Sequence, residues 1–413
     1  MSGRRARAAF PRQTAAHVVA VVTALYVPVA ALAPHGLAPL LIISALALVV
    51  APPDRRALRS AWRTPLALLF AAVVVVGAAS ALWAIKPEEA LVRAAKLAGL
   101  FVAVVVFVTG TRSLEPRQAR RVESALVGGL AVGLALLVLE AITDGALSQL
   151  GRTLLGDDRP WSLVRLSRGV GTAAVLLWPA LLILWRRGRR GAALAVGLVA
   201  VVAVFGSASL AARIALVAGA GMAALVLLAG PRATTAFTLV LVVGITVAPL
   251  LPATVLTPER INAALPAIKE SGLHRGYIWQ FSSRRIAEKP LAGWGLDASR
   301  YIPGGDRRVP QSLRELPEEY RLMSLHPHNW PLQAWLELGA PGAVLLAALA
   351  IVVRAAIRRL ADDRTTGAMA AAAFVSATVF ALLSWGLWQS WWIAGLGMAG
   401  GLLGLAARPP PTS

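Results

Sequence analysis

The sequence contains no cysteine. That excludes disulfides, a thiolate nucleophile and thiolate metal sites. Charge is scarce too, at 15% of 413 residues. Acids are the scarcer half, 20 against 41 Lys and Arg, giving a formal net charge of +21. Histidine occurs five times. No G-x-x-x-x-G-K-[ST] loop is present, so ATP hydrolysis by this chain is not expected. No H-E-x-x-H and no cluster of His and acids at zinc spacing occurs, so neither a metal nor another cofactor is expected. Asp157-Asp158 is a candidate for magnesium beside a diphosphate, although adjacent acids in a loop are more simply solvated.

Apolar residues fill the space the charges leave. They make up 57% of the chain, with a mean hydropathy of +0.68. Several runs approach the ~20 residues that cross a bilayer. In lipid the backbone must satisfy its own polar groups, so these runs are helices. A β-barrel would need alternation instead. The fold class is therefore all-α, a polytopic integral membrane protein. The basic balance does not require nucleic acid, because arginine-rich cytoplasmic loops orient multispanning chains. The start MSGRRARAAFPR leads into a span with no small-residue cleavage site, so no cleavable signal peptide is expected.

About twelve spans are expected, near 15–34, 37–51, 65–83, 89–109, 122–141, 168–185, 191–206, 209–229, 234–252, 331–353, 366–384 and 387–406. With both termini cytoplasmic, PPDRRALRSAWR, TRSLEPRQARR, WRRGRR and RAAIRRLADDR all fall inside, as the positive-inside rule demands. The organisation is then 1–252 with spans 1–9, 253–330 as a large periplasmic loop between spans 9 and 10, and 331–413 with spans 10–12. A smaller outside segment covers 142–167. The large loop is rich in arginine on the side where depletion is expected, which suits an anionic substrate. Long loops also escape the topology rule. Within it, HRGYIWQFSSRRIAEKP repeats Tyr277, Ile278, Phe281 and Ile286 at near-helical spacing, and Pro290 stops it. QSLRELPEEYRLM is a second, weaker helical candidate.

The stretch HPHNWPLQAWLELGAPGAV, from His326, sits at the mouth of the tenth span. A histidine there can act as a general base near neutral pH. A histidine hydrogen-bonded at a helix start would look the same. Asn329 and Pro331 suit that start, and His326-Pro327 is a constrained dipeptide. Arg168 and Arg275 fall at or near outside ends of helices, and Arg213 about one turn into the eighth span. Arginine forks bind phosphate oxygens and stay charged, and snorkelling to headgroups is the alternative for Arg168 and Arg275. Glu337 lies inside the tenth span with no cationic partner nearby in sequence. Trp385, Trp388, Trp391 and Trp392 read as an aromatic belt, with sugar stacking as the lesser alternative.

His328-Asn329, nine residues, Gly339, two residues and Gly342 form the pattern H-[NSQ]-x9-G-x-x-[GTY]. It resembles the signature of the O-antigen ligase family, which also contains O-antigen polymerases. The segment from Arg275 to Arg300 and the stretch LSRGVGTAAVLLWPALL resemble that family's arginine-bearing segments. The resemblance is closest to a ligase, over roughly residues 160–350. It implies an ATP- and metal-independent glycosyltransferase in the bacterial inner membrane, with its site facing the periplasm. The donor would be a glycan on undecaprenyl diphosphate. The acceptor would be lipid A-core oligosaccharide, or another repeat unit for a polymerase. His328 maps to the family's base, and Arg168 and Arg275 to its essential arginines. Arg213 follows Ser209 by four residues and maps less closely. His326, Asn329 and Glu337 are supporting candidates. A lipid-linked glycan flippase is the alternative of another class. It would place charges near the midplane and often show an inverted repeat; here the charges gather at one face.

Overall fold

The computed structural model describes residues 2–154, 156 and 162–408. Asp157 and Asp158 lie outside the described residues. Among the described residues the secondary structure is helical, apart from one isolated antiparallel bridge between Arg308 and Arg321. The protein is an all-α polytopic membrane protein.

Among the described residues, eight helices are long and apolar enough to cross a membrane. They are α1 (Ser2–Leu32), α4 (Pro65–Ala79, extended by a 3-10 turn), α5 (Pro87–Arg112), α6 (Pro116–Ile142), α8 (Ser167–Arg186), α10 (Leu210–Ala229), α15 (Trp330–Leu360) and α16 (Arg364–Leu383). Four further apolar helices are shorter: α2 (Leu37–Val50), α9 (Arg190–Phe205), α11 (Arg232–Val247) and α17 (Ser390–Ala406). A 16-residue helix rises about 24 Å, less than a hydrocarbon core of about 30 Å. Each of the twelve apolar runs is thus a helix, and eight of them reach crossing length. The rest are α3 (Arg55–Ala61), α7 (Ala146–Leu154), α12 (Leu251–Thr254), α13 (Pro258–Ala264) and α14 (Glu270–Glu288).

Local chemistry sets where the spans begin. Thr64, Ser209, Asn329 and Asp363 each cap the helix that follows, accepting from Ala67, Ala212, Leu332 and Thr366. Such a cap is worth about 1 kcal/mol. Packing then relies on small residues, because lipid gives apolar side chains no reason to cluster. On α6, Gly129 and Gly133 lie one turn apart against Ala24 and Val27 of α1. A Cβ at Gly129 would strike the Ala24 main chain, so only glycine lets these helices approach.

The charged and aromatic contacts sort the bundle into two ends. At one, Arg186 donates to the Ala406 carbonyl and Arg408 to that of Leu114. At the other, Arg168 meets His35, Trp83 donates to Ala292, and Arg93 grips Asp297. The long connection between α11 and α15 lies at this second end. In it, α14 follows the expected amphipathic helix, with Tyr277, Ile278, Phe281 and Ile286 buried. The helix expected over QSLRELPEEYRLM does not form. Pro317 interrupts it, and the chain instead pairs Val309 with Tyr320 at 3.2 Å and Leu322 with Arg307 at 2.9 Å. Proline removes the donor a helix needs there.

The span α15 is broken. Gly339 sits at φ 63° and ψ −150°, two residues before Pro341. The segment 290–295 fills the gap. Trp294 and Gly295 donate to the carbonyls of Leu336 and Glu337 at 2.9 and 2.8 Å, and Ala340 donates to Pro290 at 2.9 Å. A Cβ at Gly339 would meet the Leu291 main chain. The glycine of the motif is therefore a backbone requirement.

Candidate active site

His328 precedes α15 in a left-handed conformation, with φ of 56°. This is uncommon outside glycine and needs support from its surroundings. The support comes from His326, whose Nδ1 accepts the His328 backbone N–H at 3.1 Å. The two rings lie 4.2 Å apart. The His328 ring is oriented from the other side, where its Nδ1 meets the Ser384 carbonyl at 2.5 Å. A carbonyl can only accept, so Nδ1 carries the proton. The neutral ring then presents Nε2 as an unprotonated base.

His328 belongs to a seam between residues 326–337 and the 382–389 connection of α16 to α17. Asn329 donates to the Leu382 carbonyl at 3.2 Å, and Trp330 to that of Trp385 at 2.9 Å. Gln333 accepts from the Leu387 N–H at 2.8 Å. The His326 ring faces the Gln389 amide at 3.3 Å. Burial first, with the Arg275 charge as a smaller contribution to each, pushes His328 down to about 4 and His326 to about 3. His326 also feels Arg300. Both rings are thus neutral at neutral pH.

The other expected residues fall as follows. Arg275, on α14, faces the histidine pair electrostatically, and burial lowers its own pKa. Arg168 opens α8, shares a contact with His35 at 3.1 Å and lies 5.8 Å from the Trp391 ring. Trp391 packs on Trp385, the neighbour of Ser384. The structure therefore brings Arg168, Arg275, His326, His328 and Asn329 to one end of the bundle. Arg213 is engaged separately, donating to the Phe205 and Ser207 carbonyls at 3.0 and 2.6 Å. Glu337 has neither an arginine nor solvent beside it. It is fully buried, and accepts from Asp297, Ser299, Gln333 and Trp388.

The tryptophans do not form a lipid-facing belt. Trp385, Trp388, Trp391 and Trp392 are buried, and Trp385 stacks on Phe380 at 4.5 Å. Gly171 of α8 gives Trp385 room, since any Cβ there would strike its ring. Sequence reasoning missed Ser384, Gln389 and Asp297. Gln389 amid four tryptophans was the available signal, because a lipid-facing belt has little use for a central amide. An apolar cavity of about 910 Å³ begins beside this seam, at Trp330, Pro331 and Trp388. It extends between α4, α5, α15, α16 and α17 to Arg112, Ser113 and Arg359 at the opposite end.

Comparison with known proteins finds polysaccharide ligases among the relatives of this chain. A protein of Rickettsia conorii named "Putative polysaccharide ligase" is 27% identical over 274 residues, 66% of this chain and 64% of that protein. A like-named protein of Rickettsia felis is 26% identical over 317 residues, 76% of this chain and 74% of its own. One from Rickettsia prowazekii is 27% identical over 319 residues, with the same coverage. The chain thus spans just under two thirds of the first relative and about three quarters of the other two. Residues 161–347 match the family model described as O-antigen ligase. That stretch, a little under half of the chain, is similar to an O-antigen ligase domain and holds Arg168, Arg275, His328 and the broken start of α15.

Proposed function

We propose that the protein is a glycosyltransferase of the bacterial inner membrane, with the histidine end facing the periplasm. It transfers a glycan from undecaprenyl diphosphate to lipid A-core oligosaccharide. The observation that carries this is the His328 ring, held as the Nδ1–H tautomer with Nε2 as a base beside cations. The acceptor hydroxyl oxygen attacks the anomeric carbon of the donor sugar. The bond from that carbon to the phosphate oxygen breaks, and the diphosphate leaves with the electron pair. The hydroxyl proton passes to His328 Nε2. Attack from the face opposite the leaving group inverts the anomeric configuration.

Arg168 and Arg275 hold the diphosphate and stabilise charge on the leaving group. Arg213 enters through the family resemblance, and its two backbone contacts give it a second duty at the α9–α10 turn. His326 and Asn329 fix the backbone that presents His328. The apolar cavity suits the isoprenoid chain, which is longer than one leaflet is deep. Its length from end to end of the bundle supports a donor of that kind.

A deletion strain tests the acceptor. Lipid A-core devoid of O-chain is the expected product and means ligase. Core capped with a single repeat would instead make the protein a polymerase of the same family. Turnover of lipid-linked glycan by purified protein in detergent, with no sealed compartment, is expected for an enzyme and is impossible for a pure flippase.

A further inference from the structure

Four residues from separate parts of the sequence close a ring behind the histidine seam, through side chains and two main-chain groups. The Trp388 indole N–H donates to Glu337 Oε2 at 2.6 Å. The Trp388 carbonyl accepts from Arg93 Nη1 at 3.5 Å. The same guanidinium grips Asp297 Oδ2, through Nε at 3.0 Å and Nη2 at 2.8 Å. The Asp297 backbone N–H then returns to Glu337 Oε2 at 2.6 Å. Gln333 braces the ring, donating to Glu337 Oε1 at 3.0 Å while its own oxygen accepts from Leu387. Asp297 holds a left-handed backbone, φ 61°, to take its place.

A polar circuit in a membrane protein's interior is costly unless every member is satisfied. Apolar packing would serve simple cohesion as well. What this circuit restrains is specific. Trp388 is held by its indole and its carbonyl, and Leu387 by its N–H. These residues belong to the connection that offers the Ser384 carbonyl to His328 Nδ1. The tautomer of a histidine is set by the hydrogen bond its other nitrogen makes. If the connection moved, the ring proton would be free to sit on Nε2, where the base is needed.

The geometry points to the Glu337–Trp388–Arg93–Asp297 ring as a positioning device that keeps His328 in its base-competent tautomer. This rests on the transfer chemistry proposed above, so the test includes a measurement that needs no substrate. Full-length protein in detergent is labelled with 15N-histidine, and His328→Asn assigns the His328 signals. The wild type is expected to show His328 with Nδ1 protonated and Nε2 bare. Trp388→Phe removes one N–H and keeps an aromatic ring in place. It should mix the tautomers and lower kcat at least about tenfold, since small misplacements remote from the chemistry cost up to about 100-fold. Glu337→Gln, which turns an amide N–H toward these donors, should do the same. Retention of the locked tautomer and of wild-type kcat per folded molecule in Trp388→Phe overturns the proposal, even if the variant is less stable. The ring signal judges the positioning whether or not glycan transfer is detected.

Discussion

His326 holds His328 through its main chain: Nδ1 of the first accepts the backbone N–H of the second at 3.1 Å. The two histidines therefore have different duties. One supports a left-handed backbone; the other, clamped by Ser384, presents Nε2. Replacing His328 with Ala should lower transfer by on the order of 10²–10⁴-fold, the usual worth of a positioned base. His326→Ala should cost less, about tenfold, because the clamp on Nδ1 remains. A transfer assay with purified variants checks the order. Full activity in His328→Ala would end its assignment as the base.

The pH profile follows from burial. His328, pushed down to about 4, is neutral above that value and able to accept a proton. Hence kcat/KM should be insensitive to this ring above pH 5 and fall through about pH 4, since it reports the free enzyme. A bound diphosphate adds negative charge near the ring and favours its protonated form. The acidic limb of kcat should then lie at higher pH than that of kcat/KM. Steady-state rates from pH 4 to 8 would show it.

Stability carries the same signature. Both folded values, about 3 and about 4, lie below the 6.5 of an unfolded chain. The unfolded state therefore binds more protons as pH drops below 6.5, and stability rises with pH in that window. The contribution is fully present above 6.5 and is lost as pH falls toward 4, then 3. Thermal unfolding in detergent should show this loss, reduced in the double variant His326→Gln, His328→Gln.

Gly339→Ala tests the break in α15. The φ of 63° with ψ of −150° is a glycine region, and forcing another residue into it costs about 1–3 kcal/mol. The added methyl also meets the Leu291 main chain. A lowered melting temperature is expected, together with loss of transfer. An unchanged melting curve would mean that the segment 290–295 adjusts freely.

The apolar cavity predicts a dependence on chain length. Ala377, on α16, lines it. Ala377→Trp should raise the KM for a donor with a full-length isoprenoid several-fold and leave a short-chain analogue nearly unaffected. Equal effects on both donors would place the long chain elsewhere.

What the sequence made legible was local. Hydropathy marked each apolar helix, because a span is written in consecutive residues. The spacing of His328, Gly339 and Gly342 marked the candidate site, since the left-handed break and the proposed base fall close together on one segment. What stayed hidden was the partner of that segment. Ser384 offers only a carbonyl, which every residue has, so no side chain announced it. Asp297 meets Arg93 from 204 positions away, and nothing local couples them. The tryptophans looked like a belt because composition cannot say which way an indole faces. The failure of the weaker helical candidate at 311–323 was legible from Pro317 within it.

The break at Gly339 divides α15 into parts that answer to different surroundings. Trp330–Leu338 is fastened to the extramembrane layer by the backbone bonds of Trp294 and Gly295. Ala340–Leu360 is tied to the same segment only through its first N–H, which donates to Pro290, and then runs on as an apolar helix packed against α4, α11 and α16. At Gly339 the helix changes direction without losing its packing, because a residue with no side chain lets the Leu291 main chain come close. His328 is thereby placed at the head of a short upper segment whose position is set by residues 290–295 as much as by the apolar helix below it.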